Sequence, residues 1–116
     1  MTTAIIRELC TKKALYWTNH VDTRLAERGI RRDDILNVLM TGEIIEQYKD
    51  DQPYPSCLVL GRTAAAKYIH VVCGTDGQAL WLITAYYPSR EKWSADYKTR
   101  IGTSNEALGP KFPGGK

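Results

Sequence analysis

The chain has few of the residues that build metal centres and disulfide scaffolds. Its three cysteines, Cys10, Cys57 and Cys73, are odd in number, widely spaced and contain no C-x-x-C pair. This pattern argues against a disulfide framework and favours reduced thiols, as in a cytosolic protein. The two histidines, His20 and His70, are far apart and form no H-x3-H pair, so we predict no metal site and no cofactor.

Long hydrophobic runs are also missing. Ile5 and Ile6 are followed at once by Arg7 and Glu8, so the N-terminus does not resemble a signal peptide. No segment approaches the roughly 20 apolar residues of a membrane span, and we expect a cytoplasmic protein with no membrane partner. The net charge of +3 is mildly basic. It permits an acidic partner but is far from the charge of a dedicated nucleic-acid binder.

The 116 residues predict one domain with its own core. We place this domain at residues 1–102. Residues 103–116 are polar and rich in Gly and Pro, with Leu108 and Phe112 as their only large apolar side chains. We therefore expect a flexible C-terminal tail there.

Helical periodicity dominates the first third of the chain and period-two alternation dominates the middle. Apolar spacing predicts helices over 3–14, from His20 to Gly29, and from Asp33 to Gly42. Extended, β-branched segments predict strands over 43–48, 56–61, 67–74 and 79–87. This order predicts an α+β domain in which the N-terminal helices pack on one face of a roughly four-stranded antiparallel sheet.

The last two predicted strands are joined by Asp76-Gly77, a strong signal for a type I′ hairpin turn. Alternation along the third strand directs His70 to the face opposite its neighbours. The hairpin then brings Tyr86 beside His70, and strict alternation on the fourth strand puts Leu82 on the same face as Tyr86.

The second helix carries His20, Arg24 and Arg28 on one stripe, each four residues apart. Val21 and Leu25 form a neighbouring stripe that can face a core. An imidazole in line with two permanent cations suits a phosphate-bearing ligand. The alternative is ordinary helix chemistry, because cations late in a helix complement its dipole.

Several blocks stand in a fixed order along the chain. They are H-x3-R-x3-RGI from His20, GEIIE-x-Y ending at Tyr48, P-Y-P-S from Pro53, H-V-V from His70, I-T-A-Y-x-P from Ile83, then Trp93 and Thr99-Arg100. In this order they resemble the bacterial domain-of-unknown-function family 4258, over about residues 18–100. One position departs from the family pattern: Arg31-Arg32 stands where the family usually has a Ser-type helix cap.

The resemblance implies a function by two steps of analogy. Members of the family often neighbour a YgiT-type zinc-finger protein, the antitoxin type that pairs with MqsR-like RNA-cleaving toxins. Their element order is also similar to the RelE/ParE-like toxin fold. These similarities imply a toxin of a type II toxin–antitoxin pair, a metal-independent endoribonuclease that acts on mRNA and is silenced by a zinc-finger antitoxin.

Metal-free RNA cleavage needs a base for the ribose 2′-hydroxyl and an acid for the leaving oxygen. His20 and His70 are the catalytic candidates if the helix packs across the sheet face that carries His70. Tyr86, beside them, would orient a reacting group or donate a proton. The alternatives are a structural role for His70 in the core and a core-edge role for Tyr86.

Arg24, Arg28 and Arg100 are the predicted phosphate clamps, since a guanidinium is always charged and binds oxygens bidentately. Arg100 has a simpler alternative role in tying down the last segment. A second function therefore stays open: a non-catalytic protein- or RNA-binding module of the same fold, with the His/Arg stripe as its recognition surface.

Overall fold

A computed structural model describes residues 1–101 of the chain. It contains three helices and five strands, in the order α1 (Thr3–Thr11), β1 (Leu15–Trp17), α2 (Asn19–Arg28), α3 (Arg32–Thr41), β2 (Glu43–Tyr48), β3 (Ser56–Arg62), β4 (Tyr68–Thr75) and β5 (Leu80–Tyr86). The predicted mixture of helices and strands is confirmed. The predicted tail at 103–116 lies outside the described residues.

The sheet has five strands, in the order β1-β5-β4-β3-β2. β2 to β5 form antiparallel neighbours, whereas β1 lies parallel to β5, with Tyr16 opposite Trp81. The prediction of a four-stranded antiparallel sheet is therefore wrong. A three-residue strand is too short to show a period, and its partner lies far along the chain.

α2 begins and ends where its local sequence chemistry dictates. The Thr18 hydroxyl accepts a hydrogen bond from the Val21 amide at 3.0 Å and caps the first turn. At the other end Gly29 adopts the left-handed conformation, with φ of 69°. Between these ends Val21 and Leu25 are buried, so the predicted core stripe is confirmed.

All three helices pack on one face of the sheet, as predicted. We call the buried residues there the helix-side core: Ile6, Leu9, Val21, Leu25, Ile30, Ile35, Val38, Leu39, Cys57, Val59, Ile69, Val71, Cys73, Leu80, Leu82 and Ala85. The opposite face has a smaller group, the open-face cluster: Leu58, Val72, Ile83 and Trp93, flanked by Ile45, Tyr48, Tyr86 and Tyr97.

A β-bulge breaks the alternation of β5. Val72 pairs with Thr84 while its neighbour Cys73 pairs with Leu82, so one residue of β5 is extra at this point. As a result Leu82 joins the helix-side core and Tyr86 lies on the other face. The prediction that Leu82 and Tyr86 share a face is wrong.

The connection between β4 and β5 is a four-residue loop, 76–79, rather than a two-residue turn. Gly77 has a positive φ of 94°, but Asp76 does not. A type I′ turn needs positive φ at both positions, so this prediction is also wrong. The Asp76 carboxylate instead accepts hydrogen bonds from the amides of Gln78 and Ala79, at 2.9 and 3.0 Å.

Candidate functional site

The predicted stripe on α2 lies at the surface of the helical layer. His20 is exposed and Arg24 is half-buried. Within residues 1–101, neither side chain makes a hydrogen bond or an ion pair to the protein. The same helix buries Val21 and Leu25 in the helix-side core, which fixes the direction in which the stripe faces.

Arg28, the third residue of the stripe, is anchored to the sheet. Its Nη1 donates to the Ala85 carbonyl at 2.7 Å and to the Thr84 hydroxyl at 3.3 Å. These contacts tie the end of α2 to β5 without consuming the positive charge, because neither acceptor is a carboxylate. Arg28 is therefore a fixed cation beside the two unpaired groups.

His70 lies on the opposite side of the sheet, inside the open-face cluster. Its side chain is fully buried. The imidazole packs edge-on against the Trp93 ring, at 4.4 Å between centroids, and against the Tyr86 ring at 5.3 Å. The predicted neighbourhood of His70 and Tyr86 is confirmed, since the two residues pair directly across β4 and β5.

Both ring nitrogens of His70 are engaged by the protein. Nε2 lies 2.9 Å from the Tyr97 carbonyl oxygen, which can only accept, so Nε2 carries the proton. Nδ1 then accepts from the Tyr86 hydroxyl at 3.3 Å. Burial lowers the pKa of His70, which favours the neutral imidazole.

The predicted convergence of His20 and His70 does not occur. His70 alternates with Ile69 and Val71, which face the helices, so its imidazole points away from them. His20 lies on α2, on the helix side. Imidazoles on opposite faces of a sheet cannot share one substrate, so the two residues form no acid–base pair.

Tyr86 is placed beside His70 but is held as part of the same buried group. Burial raises the pKa of the Tyr86 phenol to about 12. A phenol of this pKa keeps its proton at neutral pH and donates it to His70 as a hydrogen bond. The catalytic roles predicted for Tyr86 and His70 remain predictions.

Arg100 is committed to an ion pair that the sequence did not reveal. Its Nε and Nη2 bind the Glu46 carboxylate in a two-pronged arrangement, at 3.0 and 3.1 Å. The guanidinium also lies 4.7 Å from the centroid of the Trp93 ring. The alternative considered from the sequence, that Arg100 ties down the last segment, agrees with these contacts.

The segment after β5 covers the open-face cluster. Trp93 is buried, and its backbone pairs with Arg100 in an isolated bridge. The sequence offered no signal for Glu46 as the partner, because the two residues are far apart and Glu46 lies on an edge strand. Only the folded sheet brings them together.

The cysteines match the expected free thiols. Cys57 and Cys73 are buried opposite each other on β3 and β4, with their sulfur atoms 3.9 Å apart, and Cys10 is half-buried. The hydrogen bond with the neighbouring Cys57 thiol, together with burial, raises the pKa of Cys73. Among the described residues, no helix has the length and apolarity needed to cross a bilayer.

A comparison with known families finds a match over the part of the chain that carries the stripe on α2 and the strands β4 and β5. The family model "Domain of unknown function (DUF4258)" matches residues 17–87, which is more than half of the chain. The chain belongs to this family. The matched region of this DUF4258 domain contains α2, His70 and Tyr86 but ends before Trp93 and Arg100. No match was found among curated proteins or among solved structures.

Proposed function

We propose that this DUF4258 domain is an RNA-binding module that recognises phosphates with the stripe on α2. The observation that carries the proposal is the line of His20, Arg24 and Arg28, in which no side chain is paired with a carboxylate of the described chain. Unpaired cations that repeat along one helix match the repeated charges of a nucleic-acid backbone. The resemblance to RNA-directed toxins favours RNA over DNA.

The three positions differ in a way that suits backbone recognition. Arg28 is fixed by the Ala85 carbonyl, so one cation is already in place before a ligand binds. Arg24 is half-buried, and its guanidinium has no partner within residues 1–101, so it can bind two phosphate oxygens at once. His20 is exposed at the first turn, where the helix N-terminus also attracts anions.

The proposal is binding rather than cleavage, for a reason of geometry. General acid–base cleavage needs two proton-transfer groups at one substrate. His70 is buried with both nitrogens in use, and His20 lies on the other side of the sheet. On the family resemblance alone, we also propose that the domain is the toxin of a RelE/ParE-like toxin–antitoxin pair whose antitoxin is a zinc-finger protein.

A fluorescence anisotropy titration with a labelled single-stranded RNA tests the proposal. Arg24→Ala should weaken binding by about fivefold or more, because one charge-assisted phosphate contact is lost. Lys49→Ala is the matched control, since it removes one exposed positive charge after β2, at the far edge of the sheet. This control should change the affinity by less than about twofold.

Two results would contradict the proposal. Equal weakening by Arg24→Ala and Lys49→Ala would mean that only net charge matters. Cleavage of the RNA in the presence of EDTA, lost in His20→Ala, would show that the stripe catalyses rather than binds. Gel analysis of the same RNA after incubation with the wild-type domain supplies this second readout.

A further inference from the structure

Among residues 1–101, no segment pairs its backbone with the outer edge of β1. Leu80 donates its amide to the Ala14 carbonyl at 2.8 Å, which sets the parallel ladder between β1 and β5. In such a ladder every second residue points its backbone groups inward. Tyr16 therefore pairs with β5, while the N–H and C=O groups of Leu15 and Trp17 point outward. Within residues 1–101 they have no backbone partner.

The opposite edge of the sheet is different. β2 has a register shift between Ile44 and Glu46, which is a bulge, and the carboxylates of Glu43 and Glu46 pair with Lys98 and Arg100. The N-terminal amine and the carbonyl of Met1 both bond to the Gln47 side chain. Bulges, charges and a covering segment are the usual ways in which a protein blocks strand addition. Within residues 1–101, β1 is short, has no bulge and is not covered by a paired segment.

The side chains around β1 add a binding face to the exposed backbone. Tyr16 is 52% exposed, and its ring stacks on Trp81 with centroids 4.3 Å apart and an interplanar angle of 18°. Tyr54 extends this group, at 6.0 Å from Trp81. A stacked aromatic pair at the edge of a sheet gives a neighbouring strand a surface for its own side chains.

The charge around β1 selects the sign of the partner. Between Lys12 and Arg32 the chain has six Lys or Arg residues and only two acidic ones, while the net charge of the whole chain is +3. The rest of the chain has therefore no positive excess. Lys13 is exposed two residues before β1, and Arg32, which also pairs with Asp22 at 2.7 Å, lies over the Trp17 ring at 4.6 Å. A second copy of this chain would bring the same positive charge to the contact.

We propose that the outer edge of β1 binds an extended acidic segment of a partner protein by strand addition. The backbone of the segment pairs with Leu15 and Trp17, and its carboxylates lie near Lys13. Its apolar side chains on the open face pack on Tyr16. This interaction does not depend on RNA binding by α2, because it uses main-chain groups of a different element.

The test uses the full chain labelled with ¹⁵N and a synthetic capped peptide of about seven residues that alternates Glu and Val. Amide exchange of Leu15 and Trp17 is followed by NMR. At about 1 mM peptide both amides should exchange about threefold more slowly, as expected for a dissociation constant near 0.5 mM. A peptide with Lys in place of Glu, and an acidic peptide N-methylated at its alternate residues, should give no protection.

A charge variant tests whether the protection depends on the positive charge of Lys13. Lys13→Glu should abolish the protection by the acidic peptide, and the matched variant Lys49→Glu, at the far edge of the sheet, should leave it unchanged. The proposal is overturned if the acidic peptide leaves both amides unaffected, or if the N-methylated peptide protects them equally. It is also overturned if the amides are protected without peptide in proportion to protein concentration, since a second copy then occupies the edge. RNA affinity is measured separately and does not enter these outcomes.

Discussion

At the scale of single residues, His70 shows how a histidine is held neutral inside a sheet. The ring lies between Trp93 and Tyr86. Its Nε2 donates to the Tyr97 carbonyl, and its Nδ1 accepts from the Tyr86 hydroxyl. A protonated ring would carry a charge in an apolar cluster, and the Tyr86 hydroxyl would have to accept a hydrogen bond instead of donating one. The folded state therefore discriminates against protonation of this residue.

The stability of the domain should fall when the pH drops below the ordinary histidine pKa of about 6.5. The pKa of His70 is lower in the folded state than in the unfolded chain. As the pH falls, the unfolded chain therefore binds the proton first, and the free energy of unfolding decreases until the pH reaches the folded pKa. The loss can reach about 1.4 kcal/mol per pH unit in that window. Thermal unfolding between about pH 8 and pH 5 measures it.

Two variants assign this pH dependence to one imidazole. His70→Gln should be less stable than the wild type at every pH but should show a flatter profile, because the buried titrating group is gone. His20→Ala removes an exposed imidazole and should keep the wild-type slope. A wild-type slope in His70→Gln would refute the assignment.

At the scale of secondary-structure elements, α3 lies unusually close to β3. A Cβ atom built on Gly61 would lie 2.9 Å from Cγ1 and 3.1 Å from Cα of Val38, which is fully buried. Contacts of this length are too short for carbon atoms. Gly61 therefore sets the distance between the helix and the sheet through the absence of a side chain.

Gly61→Ala should destabilise the domain by about 1–3 kcal/mol, the usual cost of overpacking a core. Val38→Ala should also destabilise it, by removing buried methyl groups. The double variant should lose less than the sum of the two changes, because the smaller side chain makes room for the new methyl group. Urea unfolding of the four proteins measures this, and simple additivity would contradict the proposed contact.

The sequence predicts those elements whose signals are local. The Gly29 terminus of α2 and the strand at 43–48 follow from residues that are neighbours in the chain. β1 and the bulge near Ile83 do not. Each depends on a partner strand far away in sequence, and pairing of this kind leaves no period in a segment of a few residues.

At the scale of the whole molecule, the same limit applies to the candidate site. The predicted neighbourhood of His70 and Tyr86 is confirmed, but their pairing arises from a four-residue loop and a bulge and not from the predicted two-residue turn. Alternation could not predict on which side of the sheet α2 would pack, and that choice separates His20 from His70. Nor could it show that Arg100 would be used by Glu46, since this ion pair closes a segment that has no regular structure.

The distribution of charge over the molecule fixes how RNA binding should depend on salt. A stripe of two arginines and one histidine contacts about two or three phosphates. For a single strand the slope of log K against log salt is about −0.7 per phosphate, which gives a slope between about −1.4 and −2.1. Raising NaCl from about 50 to 200 mM should therefore weaken binding about tenfold. Arg24→Ala should lower the magnitude of the slope by about 0.7, and Lys49→Ala should leave it unchanged. Anisotropy titrations at four salt concentrations measure the slopes. A wild-type slope steeper than about −4 would mean that the RNA follows a much larger surface than α2.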